Sequence, residues 1–258
     1  MKGQKTEYAT VYRVIDICNE ILSWILMVIL VCLFCYGTYG IGDSYVLEQD
    51  AMPQHYEVYR PTEEDSLSFE ELQAKNSDVC GWITIYGTHV DYPVVRGADN
   101  SVYLMRDPEG NYRMSGSIFM DCVNQREFTD FNTILYGHHM KNGQMFGSLS
   151  SYSEQSYCEK HPYIQFDTIY EKGLYEIMYV FRSRVYSEDE IVFKYYQFID
   201  AQSEQEFDSY MNDMAEMSLY DTGVTASFGD QLLTLSTCDY QEKNGRFVVV
   251  AKKVTTKE

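Results

Sequence analysis

Gln231-Leu-Leu-Thr-Leu-Ser-Thr-Cys238 and Arg246-Phe-Val-Val-Val-Ala251 decide the fold. The first stretch alternates apolar and polar residues, the signature of a strand with one buried face. The second is a continuous run of apolar, mostly β-branched residues, as in a strand buried on both faces. The polar segment between them carries Asn244-Gly245, a turn signal, so the two pair as a β-hairpin. Cys238 then ends one strand and Arg246 begins its partner, which holds a guanidinium near a thiol.

Other short runs follow the same pattern. Residues 81–86 and 89–95 alternate around a Gly87-Thr88 turn, and 117–120, 132–136, 163–166 and 175–185 read as further strands. With 24 Tyr and 13 Phe among 258 residues, the chain is mainly β and has ample material for a core. Two helices interrupt the pattern. Ser68-Phe-Glu-Glu71 is a capping box that starts a helix ending near Lys75-Asn76. Ser203-Glu-Gln-Glu206 starts another, over 203–219. In the second, Phe207, Tyr210, Met211, Met214 and Met217 recur at helical spacing, a stripe that reads as core packing. Asp221-Thr222-Gly223 is expected to close it.

Residues 21–42 contain no charge and are long enough to cross a bilayer as a helix. A cleaved signal peptide is the competing reading, but its apolar region would be shorter and end at small residues, whereas this one runs into Tyr36 and Tyr39. Lys2, Lys5 and Arg13 precede the span, and the first base after it is Arg60. The positive-inside rule therefore puts 1–20 in the cytoplasm, a single-pass anchor at 21–42 and the rest outside, with 43–66 as an acidic stalk and 67–258 as the folded domain.

The formal charge is −19, which argues against a phosphate-neutralising surface and hence against nucleic acid as a partner. Of seven cysteines, Cys32 and Cys35 alone have metal-pair spacing, and they lie inside the apolar run; neither a zinc site nor a disulfide framework is expected. No metal or other cofactor is implied. Chemistry falls instead to a thiol. A cysteine beside a fixed cation is activated as a nucleophile and needs a proton donor for its leaving group, most often histidine. His138 and His139 follow the strand at 132–136, where it opens into a loop. His55 lies in the stalk and His161 in a loop before Pro162, so Cys238 and Arg246 with His138 or His139 form the candidate set.

These motifs resemble those of sortases, the cysteine transpeptidases that attach proteins to Gram-positive cell walls. Thr234-Leu-Ser-Thr-Cys238 followed by Arg246-Phe-Val-Val is similar to the family's active-site signature, and Asn132-Thr-Ile-Leu-Tyr-Gly-His138 to its histidine motif. The likeness spans roughly 65–254 and includes Asp78-Val-Cys-Gly-Trp-Ile83, Asp91-Tyr-Pro-Val94 and Ser117-Ile-Phe-Met-Asp121. The segments at 68–75 and 203–219 match the N-terminal helices and the helical insertion of class B. The resemblance implies an eight-stranded β-barrel with that insertion before the cysteine strand. It implies cleavage of a C-terminal sorting signal after Thr through a Cys238 thioacyl intermediate. The acyl group would pass to an amine of a peptidoglycan precursor or a pilin. Asn100, Leu104, Tyr136 and Ser236 would line the peptide groove, and the Asp239 amide would add an oxyanion donor to Arg246. Cys80 stands where the family usually has an aliphatic residue, and the His138-His139 pair leaves the histidine to motif position alone. The signal is open: Asn-Pro-type, or Leu- or Ser/Pro-Pro-x-Thr-Gly. A cysteine peptidase hydrolysing a similar signal, or a pilin-polymerising sortase, are the alternative functions.

Overall fold

A computed structural model describes residues 2–61 and 68–255, with side chains for 12–61 and 70–255. The chain divides into two compact units, 1–49 and 50–258. The first is one helix, α1 (Lys2–Asp50). Its most apolar 18 residues have a mean hydropathy of 2.4, and Trp24, Leu26 and Phe34 are exposed along it. Helix α1 is thus long and apolar enough to cross a membrane.

The second unit is a closed barrel of eight strands: β1 (Val79–Thr84), β2 (Asp91–Val95), β3 (Ile118–Met120), β4 (Asn132–Tyr136), β5 (Tyr163–Thr168), β6 (Leu174–Arg184), β7 (Leu232–Asp239) and β8 (Gly245–Lys253). They close in the order β1-β2-β3-β4-β7-β8-β6-β5. The β2–β3 and β4–β7 pairs are parallel; the other hydrogen-bonded pairs are antiparallel. Every run of strand pattern in the sequence is a strand here, with ends moved by at most two residues.

The two apolar faces of β8 explain its unbroken hydrophobic run. Phe247, Val249 and Ala251 join the barrel interior with Leu233, Leu235 and Leu135. Val248 and Val250 turn outward into a second cluster, covered by Phe207, Met211 and Met214. Those three are the buried stripe of α3, the helical insertion (Glu204–Met217). Ser203 caps it by accepting the Glu206 amide hydrogen at 3.2 Å, and the Glu206 carboxylate takes the Gln202 amide at 2.7 Å. The insertion ends at Ser218, before Asp221-Thr222-Gly223.

Between β1 and α1 lies α2 (Ser68–Lys75); the Ser68 side chain of its expected capping box lies outside the described residues. The reading of 43–66 as a stalk does not match the described part of that segment. Helix α1 runs on to Asp50, and Pro53–Tyr59 forms a 3₁₀ helix. Three residues per turn put Tyr56 and Tyr59 on one side, and both are buried with Leu72, Trp82 and Val95. The Tyr92 hydroxyl donates to the Ala51 carbonyl at 2.8 Å, and Arg113 pairs with Asp50. The second compact unit therefore begins at Asp50 rather than at 67. Acidic composition concealed an aromatic pair at 3₁₀ spacing.

Candidate active site

Strand register assembles the site. Residues directly opposite in an antiparallel pair lie on the same face. Cys238 is opposite Arg246, and alternation puts Cys238 on the face of Ser236 and Arg246 on that of Val248 and Val250. That is the outer face, beyond the part covered by α3. On the other flank of β7, the parallel partner β4 matches Tyr136 to Ser236. The pairing persists one step further: the Gly137 amide donates to the Ser236 carbonyl at 3.2 Å, and the Thr237 hydroxyl donates to the Gly137 carbonyl at 2.8 Å. Counting on, His138 comes level with Cys238. Gly137 is required here, because a Cβ would lie 2.5 Å from Ile118 Cδ1 and 2.8 Å from the Phe146 ring.

Cys238, Arg246 and His138 all open on one cleft of about 290 Å³. The His138 Nε2 lies 2.8 Å from the Leu104 carbonyl oxygen. A carbonyl only accepts, so Nε2 bears a hydrogen and Nδ1 is the nitrogen left to exchange a proton. His139 takes the opposite side. Its ring stands edge-on to Tyr240 at 5.4 Å, and it lines a second depression with Arg182, Asp239 and Cys238, the last of which borders both. The two histidines thus lie in different depressions, and His138 is the one that shares its cleft with both Cys238 and Arg246.

All four expected groove residues, Asn100, Leu104, Tyr136 and Ser236, line the cleft. Asp239, expected to lend its backbone amide, turns its side chain to the second depression: the carboxylate pairs with Arg182 Nε at 2.9 Å and accepts the Gln241 amide at 3.0 Å. Lining residues that the sequence reading did not assign to the cleft include Phe119, Val185, Tyr195, Tyr196 and Thr237. Tyr195 is buried in a short 3₁₀ turn, where no periodicity announces a role, and its hydroxyl is 2.7 Å from Ser236 Oγ. Burial pushes that phenol up to about 12. The Tyr136 phenol is raised further, first by burial and then by the Asp121 carboxylate, while Arg246 acts against the shift. The cleft is thus lined by neutral phenols and one guanidinium.

Cys80 is fully buried, its thiol 3.5 Å from the Val94 carbonyl oxygen, and burial pushes it up to about 12. It is a small core residue. Among the described residues, no group of three His, Cys, Asp or Glu side chains is placed to share a metal ion.

A family model, the sortase domain, matches residues 83–254. The chain belongs to the sortase family. Its relatives include Sortase B of Staphylococcus aureus, 37% identical over 206 residues that cover 79% of each chain. Sortase B of Listeria monocytogenes is 36% identical over 191 residues, covering 72% of this chain and 73% of the other. Among solved structures, sortase B from B. anthracis in complex with AAEK1 superposes with a TM-score of 0.70 at 37% identity, over 82% of this chain and 98% of that one. The Staphylococcus aureus sortase B–substrate complex gives 0.66 at 33% identity, over 85% and 98%. These likenesses are to class B sortases, and the closed eight-stranded barrel with its insertion after β6 agrees with them.

Proposed function

We propose that this protein is a membrane-anchored sortase transpeptidase. It cleaves a C-terminal sorting signal after Thr and transfers the protein to a cell-wall or pilin amine. The observation that carries the reading is the convergence of Cys238, Arg246 and His138 on one cleft through the registers of β7 with β8 and β4.

The Cys238 sulfur, as thiolate, attacks the Thr carbonyl carbon, and the carbonyl oxygen gains negative charge. The Arg246 guanidinium stabilises that oxygen or holds the signal backbone. His138 protonates the departing amide nitrogen, the C–N bond breaks, and a thioester to Cys238 remains. The acceptor amine then enters; His138 removes its proton as it attacks the thioester, and the thiolate leaves as the new amide forms. The Asp239 carboxylate takes no part in this scheme, and only its backbone amide is kept as an oxyanion donor. Residues 21–42 serve as the anchor, with the N-terminus cytoplasmic and the catalytic unit outside.

The full-length protein in detergent, given a signal peptide and a glycine-based amine, should yield the ligated peptide in proportion to amine concentration. A product that is only the free acid at every amine concentration would assign a cysteine peptidase instead.

A further inference from the structure

Asp121, directly after β3, is buried and 4% exposed. Among the described residues no Lys or Arg forms an ion pair with it. A buried carboxylate is costly unless donors satisfy it. Two of its donors are cleft-lining side chains. Oδ2 accepts from Tyr136 Oη at 2.8 Å and from Asn100 Nδ2 at 3.1 Å, while Oδ1 accepts the Val123 amide at 2.9 Å. Asn100 Oδ1 accepts the Cys122 amide at 2.8 Å, and the Asp121 amide donates to Ile134 of β4 at 2.9 Å. The carboxylate is therefore fixed to the barrel and fixes two side chains in turn.

The direction of each bond matters. A carboxylate only accepts. Tyr136 must give its hydrogen to Asp121, which leaves the phenol oxygen able only to accept from the cleft. Asn100 is oriented at both ends, oxygen to Cys122 and nitrogen to Asp121, which leaves one N–H to donate. An acceptor beside a donor complements the N–H and C=O of an extended peptide backbone.

We propose that Asp121 is a positioning residue that sets the donor–acceptor polarity of the cleft wall for the backbone of the sorting signal. The inference depends on the cleft being the signal's binding groove. Asp121→Asn keeps the shape but brings an N–H₂, so Tyr136 is no longer compelled to donate.

The test is steady-state kinetics on a fluorogenic peptide with an Asn-Pro-type signal, or the Leu-Pro-x-Thr-Gly form if the wild type turns that over instead. Asp121→Asn should lower kcat/KM about 10- to 100-fold, the loss of hydrogen bonds to a charged group, mainly through KM. The rate and pH profile of Cys238 alkylation should stay unchanged, which a general loosening of the fold would not permit. In a Tyr136→Phe background the same substitution should cost no more than about a third of its single-variant factor. A backbone N-methyl scan of the peptide checks polarity without touching Asp121: one methylated amide should impair the wild type and add nothing in Tyr136→Phe. Full additivity of Asp121→Asn with Tyr136→Phe, or an N-methyl penalty that persists in Tyr136→Phe, overturns the positioning role while leaving the groove intact. Unchanged KM in both Asn100→Ala and Tyr136→Phe overturns the groove reading and the proposal with it.

Discussion

The β7–β8 hairpin and the connection that follows β4 both deliver residues to the cleft, but by different means. Cys238 and Arg246 are cross-strand partners in an eight-pair ladder. Register in such a ladder cannot slip by one residue without turning every buried side chain to the wrong face. His138 stands past the end of β4, held by the Gly137 bonds to β7, by the Leu104 carbonyl on its ring and by the Phe146 amide on its own carbonyl. The nucleophile and the cation inherit the rigidity of the sheet, and the histidine depends on local bonds to a turn. Damage near His138 should therefore change catalysis with little change in stability, and damage to the hairpin ladder should change both.

The sharpest test of that contrast is the histidine pair. His138→Ala should lower kcat about 10²- to 10⁴-fold, the usual contribution of a positioned proton donor, while His139→Ala, outside the cleft, costs far less. Equal losses would erase the distinction between the two faces of the connection. Next comes Arg246→Lys. If the guanidinium grips an oxyanion or the signal backbone through its planar fork, lysine is a poor substitute, and kcat should fall about 10²- to 10³-fold. Near-wild-type turnover would reduce Arg246 to a generic positive charge.

Stability should respond to pH through buried thiol and phenol groups. Burial raises the Cys80 thiol and the Tyr103 and Tyr195 phenols to about 12, above ordinary values of 9.0 and 10.0. The native state keeps protons that the unfolded chain releases. Their contribution is complete below about pH 9 and is lost as pH rises toward 12, so the urea midpoint should fall between pH 8 and 10.5. A midpoint constant over that range would contradict the burial argument. The smallest effect is expected at α3: Ser203→Ala removes one cap and should cost about 1 kcal/mol in urea unfolding, with kcat/KM unchanged.

Much of the barrel was legible because alternation and β-branched runs report strand faces directly. Cys238 opposite Arg246 followed from the Asn-Gly turn, and Asn244 does take a positive φ of 60°. Three things stayed hidden. The 3₁₀ segment at Pro53–Tyr59 was masked by its acidic surroundings. Tyr195 and Tyr196 reach the cleft from an irregular stretch with no period to read. The register that brings His138, already picked by motif position, level with Cys238 is the parallel β4–β7 pairing, a contact across about 100 residues that no local pattern encodes. For Asp239 the sequence reading concerned only the backbone amide; its side chain serves the hairpin turn and Arg182.

The central claim is that Cys238 carries the acyl group. The most direct measurement is mass spectrometry of the full-length protein quenched during turnover of a signal peptide, followed by a proteolytic map. A thioester adduct of the signal's N-terminal fragment should sit on the peptide containing Cys238, disappear on adding the acceptor amine, and be missing from Cys238→Ala. An adduct on Cys80, Cys122 or Cys158, or ligated product from Cys238→Ala, would contradict the account.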